Sequence, residues 1–568
     1  MIKNKIILGF VFISSFAYLH ANWAQQTLQS MTLDQKVGQL FMVASHCNPS
    51  TDMQQEVIKT IKTYHIGGIV LLGNGNVQPE VEAIKYYQQQ AAIPLFIAQD
   101  FEPGLRRLTD NPFFMTNMAI GSCSDDKLAY EVGKEFARQA AYIGVNFIPA
   151  PVVDVNVNPK NPIINNRSFG ADPVKVANKG LAYMRGIQEQ SIIACAKHFP
   201  GHGDTVVDSH VGLPVVNHDI QRLNAVELFP FKKLINGGVK AIMSAHIHIP
   251  ALDDRPGRPT SLSKKVLTDM LRNEFGFNGL IIADSLDMGG ITKNFHQSEA
   301  ALEALLAGTD ILLMSDEKIL KSNNKDDWRL YTEFVPRAFN LIKEAVLNGI
   351  ISQVQLDEHV LRILKAKEFA QADKKRSATT FEMSKFFTPA SQALKDKIFE
   401  QAMIVVDDVQ KLVPFNNKKF LLIQMTDKQQ EPLATTLQQY GSKVDILNVS
   451  PAMAKNETNS ILAKAKQYDA VVVSLHGMNK FKQQVISLHD LSAAEEVNYG
   501  LTHETQKLVN DLIAQQKNLL LVIFGIPYSR ALFTTSAQLI AHEDDPSAQI
   551  AAAKIIAGVL PAQGVMPV

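Results

Sequence analysis

The densest group of reactive side chains lies in residues 197–210, which read K-H-F-P-G-H-G-D-T-V-V-D-S-H. Three histidines, two aspartates and one lysine fall within these 14 residues, directly after an apolar stretch. Two glycines and a proline indicate a loop. Imidazole and carboxylate groups at this spacing can transfer protons or bind a metal. The segment therefore predicts a reactive site rather than a solvated surface loop.

Other ionisable residues follow apolar stretches at separate points of the chain. Asp100 follows one such stretch, His246 and His248 follow another, and Asp284 ends a third. In a parallel barrel the carboxyl ends of the strands meet at one face, where barrel enzymes carry their catalytic groups. We therefore expect these side chains to lie near residues 197–210.

Eight short apolar stretches, separated by segments of helical character, organise the chain up to residue 314. They are residues 37–43, 66–72, 93–98, 145–149, 192–197, 239–244, 280–283 and 309–313. Continuous apolar strands that alternate with helices indicate a parallel sheet covered on both faces, and eight such units suit a (β/α)8 barrel of the TIM type. Thr32 and Gln35 have the spacing of a capping box, which predicts a helix start.

The chain changes in character after residue 371. Residues 372–397 are polar and then amphipathic, which indicates a linker and an entry helix. Apolar strands return at residues 420–423, 470–475 and 519–524, and helical spacing of apolar residues predicts a helix over 502–514. We interpret residues 22–371 as the barrel domain and residues 398–568 as a C-terminal α/β sandwich domain.

The composition is that of a folded globular protein. Its 56 Lys and Arg residues balance 56 Asp and Glu residues, with 46% hydrophobic and 20% charged residues overall. A balanced charge gives no electrostatic reason to bind nucleic acid or anionic lipid. The three cysteines are too few for a disulfide scaffold and too far apart for a cysteine-based zinc site.

The first 21 residues have the pattern of a secretory signal peptide. Two lysines in residues 1–5 precede the apolar residues 6–19, and the small residue Ala21 follows. The apolar run is shorter than the ~20 residues of a membrane span. We expect cleavage after Ala21 and an exported protein, periplasmic or secreted, with no membrane span in its mature form. A retained N-terminal anchor is the alternative.

A metal site is a second interpretation of the histidines. His246 and His248 form an H-x-H pair like that of the metal-dependent amidohydrolase barrels. In those barrels the pair lies on the first strand, whereas here it follows the sixth predicted strand. The later histidines and the terminal aspartate of that pattern are also missing from this sequence.

Residues 197–210 resemble the K-H-F-P-G-H-G-D-T-x-x-D-S-H motif of glycoside hydrolase family 3 β-N-acetylglucosaminidases, the NagZ-type subfamily, at every defined position. Other segments resemble the family in the same order: D-x-E-x-G at 100–104, P-A-P at 149–151, N-R-S-F at 166–169 and I-A-D-S-L-D-M at 282–288. The resemblance is strong from about residue 23 to residue 375 and looser in the C-terminal domain.

The resemblance implies a catalytic role for three residues. Asp284 corresponds to the family's nucleophile, which forms a covalent glycosyl-enzyme, although Ala283 stands where the family usually has serine or threonine. His210, paired with Asp208, corresponds to the proton donor that replaces the second carboxylic acid of most glycosidases. Asp287, three residues after Asp284, is expected to have a structural, helix-capping role.

The resemblance also implies a set of sugar-binding residues. They are Asp100, Arg107, Arg167, Lys197 and His198. Arg107 departs from the family pattern because it lies seven residues after Asp100 rather than eight, and Pro103 replaces a usual glycine. Charged groups of this kind bind sugar hydroxyls through charge-assisted hydrogen bonds.

The activity implied is that of a retaining exo-β-N-acetylglucosaminidase without a metal or organic cofactor. Its expected substrates are terminal β-N-acetylglucosamine residues of peptidoglycan fragments or chitooligosaccharides. A β-glucosidase or β-xylosidase, and a phosphorylase that releases a sugar phosphate, are alternatives within the same superfamily. A catalytically silent sugar-binding protein is the alternative from another class. The sequence leaves the oligomeric state open.

Overall fold

The computed structural model describes residues 23–102, 104, 108–109, 114–316, 328–372, 381–408, 411–415, 419–428, 431–478, 499–533 and 537–568. The predicted leader at residues 1–21, residues 373–380 of the predicted linker and Arg107 lie outside the described residues. Within the described ranges, no helix combines the length and apolar character that crossing a membrane requires.

Eight parallel strands form a barrel. They are β1 (Phe41–His46), β2 (Gly68–Leu72), β3 (Phe96–Gln99), β4 (Phe147–Ile148), β5 (Ile193–Phe199), β6 (Ala241–Ser244), β7 (Leu280–Ala283) and β8 (Leu312–Met314). From β1 to β7 consecutive strands pair with one another, and β8 pairs with β1. A parallel bridge between Ile282 and Ile311 links β7 to the residue before β8. The predicted barrel is confirmed.

The first predicted strand is partly wrong. Residues 37–39 end a helix, Leu33–Gln39, and β1 begins only at Phe41. The capping box predicted at Thr32 and Gln35 is present and starts this helix. Val37 and Leu40 are buried, so the helix end and the strand form one continuous apolar run in the sequence. Apolar character alone therefore did not separate them.

Helices precede, connect and follow the strands of the barrel. They are Trp23–Ser30, Leu33–Gln39, Thr51–Tyr64, Val77–Gln90, Asn117–Ser122, Asp126–Ile143, Pro173–Gln188, Ile220–Ala225, Leu228–Asn236, Gly289–Thr292, Gln297–Ala307, Val335–Leu347 and Gln353–Phe369, with 3₁₀ turns at Asn165–Arg167 and Thr260–Leu262 and π-helical segments at Lys265–Glu274 and Leu330–Phe334. All seven residues of β5 are buried. Burial on both faces explains why the strands read as continuous apolar runs.

A second sheet of six strands follows the barrel. Its strands are β9 (Ile404–Val406), β10 (Lys419–Met425), β11 (Lys443–Asn448), β12 (Val471–Met478), β13 (Leu519–Gly525) and β14 (Ala537–Ile540), in the order β11-β10-β12-β13-β14-β9. Only β9 pairs antiparallel among these strands. Its helices are Met383–Phe386, Pro389–Ala402, Pro432–Gln439, Pro451–Asn456, Thr458–Ala465, His503–Gln515 and Pro546–Ile556, with a 3₁₀ turn at Pro527–Leu532. The expected α/β sandwich is confirmed, with β9, β11 and β14 as strands not predicted.

An aromatic cluster supports the loop that follows β3. The Phe136 ring centroid lies 5.8 Å from that of Phe101, 5.1 Å from that of Phe114 and 6.0 Å from that of Tyr183. The Tyr183 hydroxyl donates to the Phe101 carbonyl at 3.0 Å. The cluster thus fixes the backbone directly after Asp100.

Phe136→Ala is expected to lower the free energy of unfolding by ~3–5 kcal/mol, because the variant removes buried aromatic surface and leaves a cavity. Urea denaturation followed by circular dichroism measures the change. Tyr440→Ala, at an exposed aromatic residue, is the control and should change the value by less than ~1 kcal/mol. Equal losses in both variants would contradict a core role for Phe136.

Candidate active site

The carboxyl ends of three barrel strands bring charged residues into one region. Asp100 directly follows β3, Lys197 lies near the end of β5, and Asp284 directly follows β7. The Lys197 Nζ atom lies 3.0 Å from Asp100 Oδ1. This convergence follows from the parallel barrel, in which each strand delivers its last residues to the same face.

Glu102 links the cations at this face. Its Oε1 lies 2.7 Å from Lys197 Nζ and 2.9 Å from Arg167 Nη2, and its Oε2 accepts from Arg167 Nε at 3.3 Å. The side chains of Glu102 and Lys197 are each only 4% exposed. Glu102 lies in the D-x-E-x-G segment at 100–104 but was not among the predicted site residues. The sequence feature that could have identified Glu102 is its position two residues after Asp100, a predicted site residue.

The protonation of this ion-pair network is set by mutual neutralisation. Burial alone would raise the pKa of Glu102, but Arg167 and Lys197 lower that pKa to about 2. Burial alone would lower the pKa of Lys197, but Asp100 and Glu102 raise it above its ordinary value. Glu102, Lys197 and Arg167, whose pKa is also raised, are therefore charged at neutral pH.

Asp154 is a second buried carboxylate that was not among the predicted site residues. It is fully buried and accepts from the His198 backbone N–H at 3.2 Å and from the His202 backbone N–H at 2.7 Å. Its Oδ2 lies 2.7 Å from His198 Nδ1. Burial would raise the pKa of Asp154, but His198 and the hydrogen bonds lower it. The sequence feature that could have identified Asp154 is a single carboxylate within the otherwise apolar residues 152–155.

Asp154 also orients the predicted sugar-binding residue His198. A carboxylate against Nδ1 selects the tautomer with the proton on that nitrogen when the ring is neutral. The Nε2 atom then faces Arg167, whose Nη2 lies 3.4 Å away. Lys197, His198, Arg167 and Asp100 are thus brought together as predicted, and His198 presents Nε2 on the side of Arg167.

His202 fixes the loop that runs from β5 to His210. Its Nδ1 lies 2.8 Å from Thr205 Oγ1, and its Nε2 lies 2.9 Å from Ser209 Oγ. Burial lowers the pKa of His202 to about 4, so the ring is neutral at pH 7. Of the motif's three histidines, His202 is therefore the one whose two ring nitrogens both contact hydroxyl groups of the same loop, and these contacts hold the loop together.

Asp208 and His210 form a pair within the same loop. His210 Nδ1 lies 2.7 Å from Asp208 Oδ1, which also accepts from the His210 backbone N–H at 2.9 Å. Desolvation would lower the pKa of His210, but the hydrogen bond to Asp208 raises it above its ordinary value. The His210 side chain is 57% exposed. A protonated ring with Nδ1 held by a carboxylate can donate the Nε2 proton to a ligand.

Asp284 is held by backbone hydrogen bonds at the end of β7. Its N–H donates to the Ser244 carbonyl at 3.0 Å, and its Oδ1 accepts from the Ser285 N–H at 2.8 Å. Burial alone would raise the pKa of Asp284, but the nearby histidines, His198 first, lower it below its ordinary value. The carboxylate is therefore ionised at neutral pH and can act as a nucleophile.

Main-chain hydrogen bonds join the loop of His210 to the segment after Asp284. The Gly289 N–H donates to the His210 carbonyl at 2.9 Å, and the Gly290 N–H donates to the Ser209 carbonyl at 2.9 Å. A Cβ atom on Gly289 would lie 2.6 Å from the Val211 backbone. The close approach requires glycine at this position and couples the loop to the β7 end.

The histidine pair of the metal interpretation has other partners. His246 Nδ1 lies 2.7 Å from Ser261 Oγ, and His246 Nε2 lies 2.9 Å from the Ser285 carbonyl oxygen. His248 Nδ1 lies 3.1 Å from the Arg258 carbonyl oxygen. Within the described ranges, the groups of three side chains close enough to share a cation are Asp204, His218 and Glu227, and Glu431, His476 and Asp544. Neither group contains His246 or His248.

Asp287 has a structural contact, though not the expected cap. Its Oδ2 accepts from Ser315 Oγ at 3.2 Å, and Met288 is the N-cap residue of the helix Gly289–Thr292. Arg107, the remaining predicted sugar-binding residue, lies outside the described part of the chain.

Comparisons with known proteins agree with the resemblance read from the motifs. Residues 32–366 match the family model described as glycosyl hydrolase family 3 N terminal domain. The chain is 29% identical to beta-hexosaminidase A of Pseudoalteromonas piscicida, over 97% of this chain and 98% of that protein. It is 30% identical to a beta-N-acetylglucosaminidase/beta-glucosidase of Cellulomonas fimi, over 61% of this chain and 59% of that protein.

A solved structure extends the similarity to both domains. The chain is similar to a glycoside hydrolase family 3 beta-N-acetylglucosaminidase from Paenibacillus sp. str. FPU-7, with a TM-score of 0.76 and 28% sequence identity. The match covers 95% of this chain and 99% of that structure. The barrel and the second sheet therefore occur together in that protein as they do here.

Glu102→Gln is expected to lower the free energy of unfolding by ~3–5 kcal/mol at neutral pH, because it leaves two buried cations under-neutralised. The pKa of Glu102 is about 2 in the folded chain, so its ionised form stabilises the fold above the ordinary glutamate pKa. That contribution is lost as the pH falls from the ordinary value towards 2. Urea titrations of both proteins should therefore differ most at pH 7 and converge below pH ~4.5.

Glu299→Gln provides the matched control, since Glu299 pairs with Arg337 at the exposed surface. Its effect should stay below ~1 kcal/mol at every pH. A Glu102→Gln effect as small as that of the control would show that the buried network does not stabilise the fold.

Proposed function

Because the chain belongs to glycosyl hydrolase family 3, we propose that it is a retaining exo-β-N-acetylglucosaminidase. It hydrolyses terminal, non-reducing β-N-acetylglucosamine residues through a covalent glycosyl-enzyme. The Asp208–His210 pair carries the proposal, because its loop is hydrogen-bonded to the segment that follows the ionised Asp284. The names of the beta-hexosaminidase A and beta-N-acetylglucosaminidase relatives support the choice of sugar.

Asp284 is the proposed nucleophile. One of its carboxylate oxygens attacks the anomeric carbon, and the bond between that carbon and the leaving oxygen breaks. The lowered pKa of Asp284 keeps the carboxylate ionised before attack, and the Ser285 N–H holds one oxygen in place. The product of this step is a glycosyl ester on Asp284.

His210 is the proposed proton donor and later the base. In the first step its Nε2 proton moves to the leaving oxygen, so that the aglycone departs as a neutral alcohol. In the second step a water molecule attacks the anomeric carbon and transfers a proton to Nε2, which releases the sugar and restores Asp284. Asp208 holds Nδ1 throughout and favours the cationic ring that exists before the first step.

The ion-pair network is the proposed sugar-binding surface. Asp100 offers carboxylate acceptors, while Lys197 and Arg167 offer charged donors next to it. Sugar hydroxyls are both donors and acceptors, so such a surface binds them by charge-assisted hydrogen bonds. His198 Nε2 and Arg107 complete the proposed set.

Peptidoglycan fragments and chitooligosaccharides are the proposed natural substrates, since both carry terminal β-N-acetylglucosamine. The leader-like residues 1–21 support export to the periplasm or beyond the cell, where such polymers occur. The Cellulomonas fimi relative is named for both β-N-acetylglucosaminidase and β-glucosidase activity, which makes β-glucosidase activity a second candidate. The test therefore includes an aryl β-glucoside as a substrate.

Purified protein is expected to hydrolyse an aryl β-N-acetylglucosaminide faster than the corresponding aryl β-glucoside. Phosphate should neither accelerate turnover nor yield a sugar phosphate. Asp284→Asn should reduce turnover by ~10⁴-fold or more, because the nucleophile is removed. A fluoro-sugar inactivator should label one peptide, and fragmentation by mass spectrometry should locate the sugar on Asp284 rather than Asp287.

Other results have distinct meanings. Preference for the glucoside would favour β-glucosidase activity, and phosphate-dependent release of a sugar phosphate would establish a phosphorylase. A label on Glu102 or Asp208 would contradict the nucleophile assignment. Absence of turnover and labelling with every glycoside would leave a sugar-binding protein.

His210→Ala is expected to reduce hydrolysis of a natural disaccharide by ~10²–10⁴-fold, because the leaving oxygen lacks its proton. The dinitrophenolate of a dinitrophenyl glycoside leaves without needing a proton, so this substrate should give a rapid burst of dinitrophenolate followed by slow turnover. Azide needs no deprotonation and should accelerate the slow step, with a β-glycosyl azide as product. Equal losses on both substrates without azide rescue would mean that the proton donor lies elsewhere.

Asp208→Asn tests the same assignment through the pH dependence. The carboxylate of Asp208 raises the pKa of His210, so its replacement should lower that pKa. The basic limb of the kcat/KM profile, which reports loss of the His210 proton, should then move to lower pH. An unchanged basic limb would contradict His210 as the titrating acid.

A further inference from the structure

We propose that Tyr528, in the second domain, is a positioning residue for sugar binding in the barrel, and that it acts through Asn156 on Arg167. This inference rests on the proposed function, because it needs Arg167 to bind the sugar. Two hydrogen bonds join Tyr528 and Asn156 across the domain interface. The Asn156 Nδ2 atom donates to the Tyr528 hydroxyl at 2.7 Å, and that hydroxyl donates to the Asn156 carbonyl at 3.1 Å.

The Tyr528 hydroxyl is built into the interface. Tyr528 lies in the 3₁₀ turn Pro527–Leu532 directly after β13, and the residue is 8% exposed. Burial raises the pKa of Tyr528 to about 12, so the phenol is neutral and keeps its proton at working pH. The hydroxyl can therefore accept and donate at once, as the contact to Asn156 requires.

Asn156 passes this contact to the turn that carries Arg167. Its Oδ1 accepts from the Asn165 N–H at 3.0 Å, and its own N–H donates to the Gly170 carbonyl at 2.9 Å. Asn165 begins the 3₁₀ turn Asn165–Arg167 and has a φ of 44°. Asn156 thus binds the backbone on both sides of Arg167, whose guanidinium contacts Glu102.

The same backbone lies against the loop of the catalytic pair. A Cβ atom on Gly203 would lie 1.9 Å from the Val155 carbonyl oxygen and 3.0 Å from the Asn156 nitrogen. Asn161 Nδ2 donates to the His202 carbonyl at 2.8 Å. A displaced Asn156 would therefore disturb both sides of the proposed sugar site.

The C-terminal segment adds a second contact from outside the barrel. The Ala171 N–H donates to the Pro567 carbonyl at 2.8 Å, and a Cβ atom on Gly170 would lie 2.3 Å from that oxygen. The Val565 N–H donates to the Ser122 carbonyl at 2.9 Å. The backbone after Arg167 is thus held between Asn156 and the C-terminal segment, which limits where the guanidinium can lie.

Tyr528→Phe removes the hydroxyl and keeps the buried ring. Displacement of a substrate-positioning group by about 1 Å costs up to ~10²-fold, so we expect KM to rise by roughly 5- to 30-fold. Arg167 contacts the sugar in the ground state and the transition state alike, so kcat should stay within about 2-fold. Tyr468→Phe is the matched control, since its hydroxyl donates to Asp445 at 2.6 Å within the second domain. Its KM should not change.

A double-mutant cycle with Arg167→Lys tests whether Tyr528 acts through Arg167. The lysine keeps a cation beside Glu102 but loses the guanidinium fork. In this background Tyr528→Phe should raise KM by less than 2-fold, because coupled residues show non-additive losses. Amide hydrogen–deuterium exchange should become faster at residues 165–171 in Tyr528→Phe and stay unchanged in Tyr468→Phe.

The cycle uses whichever aryl glycoside the wild-type protein hydrolyses fastest, so a different sugar preference does not affect it. An unchanged KM with a lower melting temperature would reduce Tyr528 to a stabilising residue and overturn the inference. Additive increases of KM would exclude action through Arg167. If Arg167→Lys leaves KM unchanged, the sugar-binding role of Arg167 fails, and the inference fails with it.

Discussion

Two carboxylates and two cationic side chains meet at the barrel mouth, where Glu102 and Lys197 are almost fully buried, and their mutual neutralisation holds the rest of the site together. Asp100 and Glu102 supply two negative charges, and Lys197 and Arg167 supply two positive charges. Removing a charge from water costs free energy unless a partner of opposite charge compensates it. Loss of one of these side chains would therefore leave another charge without its partner, which destabilises the fold. The loop after β3, the end of β5 and the turn of Arg167 must therefore meet in one arrangement.

Much of the barrel could be predicted because its strands are buried on both faces. All eight apolar runs correspond to strands, and only the first was misplaced, where a capped helix ends in Val37 and Gln39 before β1. In the second domain the buried central strands were found. The edge strand Lys443–Asn448 was missed because it is only half-buried and carries polar residues, while Ile404–Val406 and Ala537–Ile540 are too short to give a periodic signal.

The candidate site divides in the same way. Asp208 and His210 were identified through the resemblance of residues 197–210 to the family motif, and the structure shows the two side chains paired on one loop. Glu102 and Asp154 were not assigned, since their partners lie 65 residues away at Arg167 and 44 residues away at His198. Spacing along the chain carries no information about such pairs, which exist only after the strands have been assembled. The neutralising contacts of Glu102 and Asp154 were therefore visible only in the structure.

The loop of His210 is held by main-chain hydrogen bonds, so its position does not depend on which side chains it exposes at its surface. Gly289 and Gly290 hold the loop through the carbonyl groups of His210 and Ser209, and carbonyl groups are the same for every amino acid. Val206, on the same loop, is 64% exposed and takes no part in that attachment. Mutations at such exposed positions leave the register of the histidine intact, so natural variation or laboratory selection has freedom to reshape the rim of the site around a constant reaction centre.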